Sequence, residues 1–155
     1  MKNESDKQFP SAKQIAGLIP VTFFIHQLEE YFGQFPLWYS NLLNAQLSNQ
    51  DFILINGVGL FVFSALSLSY LFNRNKRILV ALGALVFANG LIHLLLSIFT
   101  SSYSPGTVSG VVLFIPLGII IFKKISPQLR EVENIMAIAT GVFVLFAVSM
   151  IAINI

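Results

Sequence analysis

Long apolar runs separated by short polar breaks organise this chain. Four of them fit, or nearly fit, a bilayer crossing: DFILINGVGLFVFSALSLSYLF (51–72), ILVALGALVFANGLIHLLLSIF (78–99), TVSGVVLFIPLGIIIF (107–122) and NIMAIATGVFVLFAVSMIAINI (134–155). A spanning helix needs about 20 mainly apolar residues. The third run is short and contains Pro116. Spanning helices tolerate proline when neighbouring groups satisfy the carbonyl that it frees. A fifth stretch, about residues 14–32, has the apolar core AGLIPVTFFI, broken by Pro20 and followed by HQLEE. Hydropathy alone leaves it either crossing or lying flat in the interface.

Charge separates the two. Lys2, Lys7 and Lys13 precede the fifth stretch; Arg74, Lys76 and Arg77 join the runs 51–72 and 78–99; Lys123, Lys124 and Arg130 join the last two runs. If 14–32 crosses, all nine basic residues fall on one side. If it does not, the three N-terminal lysines face the wrong way. Loops rich in Lys and Arg stay cytoplasmic. The expected fold is therefore all-α: a polytopic transmembrane helix bundle of about five spans, with a cytoplasmic N-terminus and an external C-terminus. The segment at about 36–47, within YFGQFPLWYSNLLNAQLSNQ (31–50), is aromatic and uncharged. It reads as an interfacial or re-entrant helix, an anchor in the headgroup plane or, alternatively, a lid over the acidic site with Trp38 and Tyr39 near its mouth.

Composition agrees. The chain is 55% hydrophobic, more than a soluble domain of 155 residues can hide. It reads as one transmembrane domain, 14–155, behind a polar tail, MKNESDKQFPSAK (1–13), in a multi-pass protein of the cell membrane. Membrane lipid is the expected surrounding. The basic residues are spread for orientation and form no nucleic-acid patch. Without cysteine there is no disulfide or thiolate chemistry.

The topology gathers the polar residues at one end. His26, Glu29 and Glu30 fall at the outer end of the first span, Asn89 and His93 in the outer half of the third, and Asp51 at the outer start of the second. The loop SSYSPG (101–106) lies on the same side, and no Lys or Arg does. His26 and Glu30 share a helix face, as do Asn89, His93 and Ser97. Ionisable residues in a membrane normally face the bundle interior. Two glutamates at a helix C-terminus also oppose the macrodipole, which argues for another use. Three states fit an adjacent pair of acids without a basic partner: a proton on one of them, solvation of both, or a bound cation.

Imidazole with carboxylate is a ligand set for zinc, iron or manganese. His26, Glu30 and His93 would make a three-ligand site with an open position, as in catalytic zinc sites, with Glu29 as base toward metal-bound water. Tyr103 offers a phenolic proton or belongs to the aromatic belt. Pro105 and Gly106 shape the outer turn, Thr107 is placed to cap the following helix, and Asp51 to cap the second. Asn89 is either an interhelical tie or a site residue.

HQLEE (26–30), His93 within NGLIH (89–93) and YSPG (103–106) occur in that order. On these three elements the chain resembles the HXXEE-motif integral membrane proteins. The resemblance implies a multi-span protein in which His26, Glu29, Glu30, His93, Tyr103, Pro105 and Gly106 matter. It implies no particular reaction. The residues themselves point to a membrane enzyme, metal-dependent or working by acid–base chemistry, with a lipid-like or hydrophobic substrate. The alternatives are metal-free, isomerase-type proton transfer by Glu29, Glu30 and His93, or a proton-coupled binder or transporter. Small residues such as Gly57, Gly59, Gly83, Gly90 and Gly141 permit close packing within the chain or in a homo-oligomer.

Overall fold

The computed structural model describes residues 10–44 and 46–153. Most of the tail expected at 1–13 lies outside that range. Helix α1 (Ala12–Phe32) starts two residues before the expected 14. Ser11 and Gln14 form a capping box there, each side chain bonding the other's backbone N–H. A short α2 (Phe35–Leu43) follows, then α3 (Asn49–Asn73) and α4 (Lys76–Phe99). The next span is composite: α5 (Thr107–Ser109), a π turn (Gly110–Phe114), α6 (Ile115–Lys124) and a 3₁₀ turn (Ser126–Gln128). Helix α7 (Glu131–Ile153) closes the chain. No strand occurs among the described residues.

Four helical stretches, Asn49–Asn73, Lys76–Phe99, Thr107–Gln128 and Glu131–Ala152, are long and apolar enough to cross a membrane. Their surfaces suit lipid: Phe61, Phe72, Phe99 and Phe143 point outward, while the buried set includes two histidines and a glutamate. This inside-out distribution is that of an integral membrane protein. Helix α1 is less apolar and falls outside the four, yet its 21 residues reach about 31 Å. Its outward face carries Leu18, Val21, Phe24 and Ile25, and its inward face Thr22, His26, Gln27 and Glu30.

Helix α4 is the hub, packing on α1, α3, α6 and α7. Leu79, Val80 and Val86 of α4 pack in the core with Ile15 and Ile19 of α1, Phe114 and Ile121. Close approach is built in at Gly90, where an added Cβ would stand 2.8 Å from the Gly110 carbonyl oxygen. That contact brings the C-terminal half of α4 against the start of the composite span.

Pro116 shapes that span. A proline has no N–H to donate into the helix. Ahead of it the chain widens to the π register, and the Ile115 N–H bonds five residues back, to the Gly110 carbonyl. The span then runs on to Lys124, past the expected 122. Helix α2 ends at Leu43 rather than 47, because Asn44 turns into the left-handed region at φ 52°.

Short turns set the polarity of the bundle. The α3–α4 and α6–α7 connections share one end, where Arg77 reaches Glu133 at 2.7 Å. Arg74, Lys76, Arg77, Lys123, Lys124 and Arg130 gather there. The α4–α5 connection, with His93 close by, lies at the opposite end.

Candidate functional site

At that opposite end three buried side chains converge. Glu30 Oε1 lies 3.2 Å from His93 Nε2 and 3.5 Å from His26 Nε2. The relative exposures are 1% for His26, 6% for Glu30 and 4% for His93, so the cluster is closed. The i, i+4 spacing on α1 sets His26 and Glu30 on one face. Helix α4 brings His93 alongside, its ring edge-on to His26 at 5.0 Å between centroids.

Each imidazole is held from behind by a serine. His26 Nδ1 pairs with Ser109 Oγ at 2.8 Å, and His93 Nδ1 with Ser104 Oγ at 3.1 Å. Phe114 packs on the His26 ring at 4.3 Å and Phe35 of α2 on the His93 ring at 5.6 Å. Tyr39 ties α2 to the bundle by donating to the Ser149 carbonyl. Helix α2 therefore packs against the cluster through Phe35.

Glu29 turns the other way. Its Oε1 accepts the N–H of Gly106 at 3.2 Å and of Val108 at 2.9 Å, and its Oε2 accepts the N–H of Ser109 at 2.6 Å. The Tyr103 hydroxyl also donates to Oε1. These N–H groups are the free donors at the start of the composite span. Glu29 thus caps a helix other than its own. An acid disfavoured at the C-terminus of α1 is favoured at the positive end of the next dipole.

Gly106, the N-cap residue by position, has φ +100°. A Cβ there would meet His26 Cε1 at 2.8 Å and His93 Cε1 at 2.9 Å. No side chain fits, so none of its own can cap the helix. Pro105 packs on the end of α1, where a Cβ on Gly33 would meet Pro105 Cβ at 2.7 Å. Burial of its hydroxyl, together with the bond to Glu29 and that residue's charge, pushes the Tyr103 pKa up to about 12.

The expected cap at Thr107 does not form. Its hydroxyl instead meets the carbonyls of Ser104 at 2.6 Å and His93 at 3.2 Å, and Ser97 Oγ at 2.7 Å. Asp51 sits in the first turn of α3, and Ser48 is the cap residue, accepting the Asp51 N–H at 3.1 Å. Asp51 takes no part in the His/Glu cluster. With four donors on its two oxygens, Glu29 is occupied as a cap rather than placed as a base. Asn89 stays one turn from His93, and its Oδ1 is buried without a hydrogen-bond partner among the described residues.

Ser104 and Ser109 are site residues that sequence spacing did not single out. Ser104 lay within YSPG, a position read there as a turn. Ser109 carried no local signal, since its role depends on the Gly90–Gly110 contact. Gln27 was missed as well: it donates to the Asn56 carbonyl at 2.6 Å, tying α1 to α3.

The donor set can be tested for its fit to a metal. A first-row metal bound at about 2.0–2.1 Å sets tetrahedral ligand atoms about 3.3 Å apart. The two separations from Glu30 Oε1 to the imidazole nitrogens, 3.2 and 3.5 Å, bracket that edge. His26 Nε2 is buried and makes no hydrogen bond among the described residues. All three ligand atoms lie within 4.8 Å of one another. The residues fit.

Fold and site together define a helical integral membrane protein with a buried His/Glu cluster sealed by a capped turn. The family model described as a protein of unknown function with HXXEE motif matches residues 17–121, and the chain belongs to that family. No curated protein and no solved structure matches it.

Proposed function

We propose that this protein is a membrane-embedded, metal-dependent enzyme of the cell membrane, acting on a lipid-like or hydrophobic substrate at the outer side. The supporting observation is the buried His26–Glu30–His93 triad, with Glu30 Oε1 within 3.5 Å of both Nε2 atoms and both Nδ1 atoms engaged by serines. With Nδ1–H donated to serine, each Nε2 keeps its lone pair for a cation. No Lys or Arg pairs with Glu30 among the described residues, so a bound cation is the natural counter-charge. Zinc, iron and manganese all accept two imidazoles and a carboxylate. Three protein ligands leave a coordination position for water or substrate, and a bound metal would supply Lewis-acid activation there.

The chain's own residues do the positioning. Ser104 and Ser109 fix the imidazole orientation, and Gly106 lets the turn press against both rings. Phe35 and Phe114 keep the surroundings apolar. Helix α1 serves as a fifth span in this reading, with its N-terminus cytoplasmic. That arrangement puts Lys13 with the other bases and Glu29, Glu30 and Asp51 on the far side.

The test is elemental analysis of the purified full-length protein. About one transition metal per chain is expected, lost on His93→Ala and Glu30→Ala. Protein folded and metal-free after supplementation with zinc, iron and manganese in turn would overturn the proposal.

A second reading follows from the same distances. Glu30 Oε1 is placed to accept an Nε2–H from His93 at 3.2 Å, and His26 Nε2 lies 3.5 Å away, close enough for a small shift to bring it into the same network. This is a metal-free proton-sharing site of the isomerase type. The readings differ in tautomer: metal binding puts the imidazole protons on Nδ1, proton sharing puts them on Nε2. Nitrogen NMR of labelled protein separates them.

A further inference from the structure

A groove of about 460 Å³ runs between α4, α6 and α7, away from the His/Glu cluster. Ala84, Ala88 and Leu91 of α4 line one wall at helical spacing; Phe122 of α6 and Ile138 of α7 line the others. The volume lies within the range of ligand sites. Ala84 and Ala88 keep the wall low, and the lining is almost wholly apolar. One end of the groove, at Phe122 and Ser126, lies toward the basic loops. Phe122 lies two residues before the end of α6, and Ile138 two turns into α7.

The connecting segments beyond that end are polar and cationic. Ser126, itself part of the lining, donates to Asn134 Oδ1 at 2.7 Å and joins the turn to α7. Lys123, beside Phe122, is exposed. Arg77 and Arg130 share a single acid, Glu133, at 2.7 and 3.0 Å, leaving that trio net positive. The connections at this end carry six bases, Arg74, Lys76, Arg77, Lys123, Lys124 and Arg130, against Glu131 and Glu133. An apolar slot running toward a cationic end of the bundle is complementary to one kind of molecule in a bilayer, a lipid with an anionic headgroup. Basic pockets between transmembrane helices bind such headgroups.

We infer that this groove is a binding site for an anionic phospholipid, with an acyl chain along Ala84, Ala88 and Leu91 and the phosphate at the Lys123–Ser126 turn. The inference does not depend on a metal at His26, Glu30 and His93.

The test is lipid retention. The full chain is reconstituted in vesicles of equal parts phosphatidylglycerol and phosphatidylcholine, extracted in mild detergent and weighed by native mass spectrometry. Retention of phosphatidylglycerol in preference to phosphatidylcholine is expected. Ala88→Phe, which fills the groove, should abolish it. Lys123→Gln should cut the anionic preference about fivefold, from the contribution of one basic residue near a charged headgroup. Should Ala88→Phe fail to fold, Val142→Trp blocks the same groove from a position already 46% exposed. Equal retention of the two lipids, or retention unchanged by the groove-filling variant, overturns the inference. A lipid-free dimer that Ala88→Phe dissociates also overturns it and assigns the groove to a second copy of the chain.

Discussion

Glu29 Oε2 accepts the backbone N–H of Ser109 at 2.6 Å, across 80 residues of sequence. The side chain of Ser109 in turn holds His26, three residues before Glu29 on α1. The two acids of HQLEE therefore divide the work: Glu29 builds the turn, and Glu30 faces the histidines that the turn supports.

Replacing Glu29 should cost stability before anything else. Removing a side-chain cap typically costs about 0.5–2 kcal/mol, and bonds to a charged acceptor are worth about 1.5–3 kcal/mol. Glu29→Ala should lower the unfolding temperature in detergent clearly, and Glu29→Gln should do so less, since one amide oxygen still accepts. On the metal reading, Glu30→Gln should instead remove bound metal, and with it the stability that the metal lends the folded chain, while metal-free samples unfold nearer the wild-type temperature. Equal effects of Glu29→Gln and Glu30→Gln on both readouts would contradict this division.

Gly106 should tolerate no side chain. A methyl group there meets both imidazoles at under 3.0 Å and forces a left-handed backbone on a residue with a Cβ. The expected cost of Gly106→Ala is about 1–3 kcal/mol and, on the metal reading, metal retention is lost even where the helices remain. Circular dichroism and elemental analysis of one sample read both.

Ser104 and Ser109 should tune affinity without being ligands. Removing a partner of a metal-bound histidine typically costs about 10–100-fold in metal affinity. Ser109→Ala should fall in that range by competition with a calibrated chelator, while the chain keeps its helical content. Unchanged affinity in both serine variants would favour the proton-sharing reading.

Tyr103 gives the outer turn an alkaline limit. Its pKa is raised from the ordinary 10 to about 12 in the fold, so the folded state holds a proton that the unfolded state releases. The associated stability is fully present below pH 10 and is lost as pH rises from 10 through about 12. Tyr103→Phe should remove this part of the pH dependence, and thermal unfolding across that window measures it.

Much of this was legible in the chain. Hydropathy located the four long spans, and the placement of bases gave the end at which polar residues meet. Spacing put His26 and Glu30 on one face, and depth put His93 beside them. Acids at the C-terminal end of α1 oppose its macrodipole, which is legible in the chain, but where Glu29 finds its donors is not. That answer needs three elements at once: α1, the YSPG turn and the helix after it. Thr107 departs from its expected role for the same reason. Local rules make it a cap, whereas the packed α4 offers its hydroxyl the His93 carbonyl and Ser97. The length of α2 turned on Asn44 adopting a left-handed conformation, one of several stopping points its sequence allows.

The widened turn at Gly110–Phe114 has a consequence for how the composite span can change. It inserts a phase offset between the half bearing Ser109 and the half bearing Ile121. Deleting one residue there would rotate the first half by about 100° relative to the second. With Ile121 still locked against Gly83, Ser109 would swing off His26 and the donors would leave Glu29. Length in this segment is therefore constrained as tightly as side-chain identity: a shortened chain could keep every motif residue and still lose the alignment that joins them.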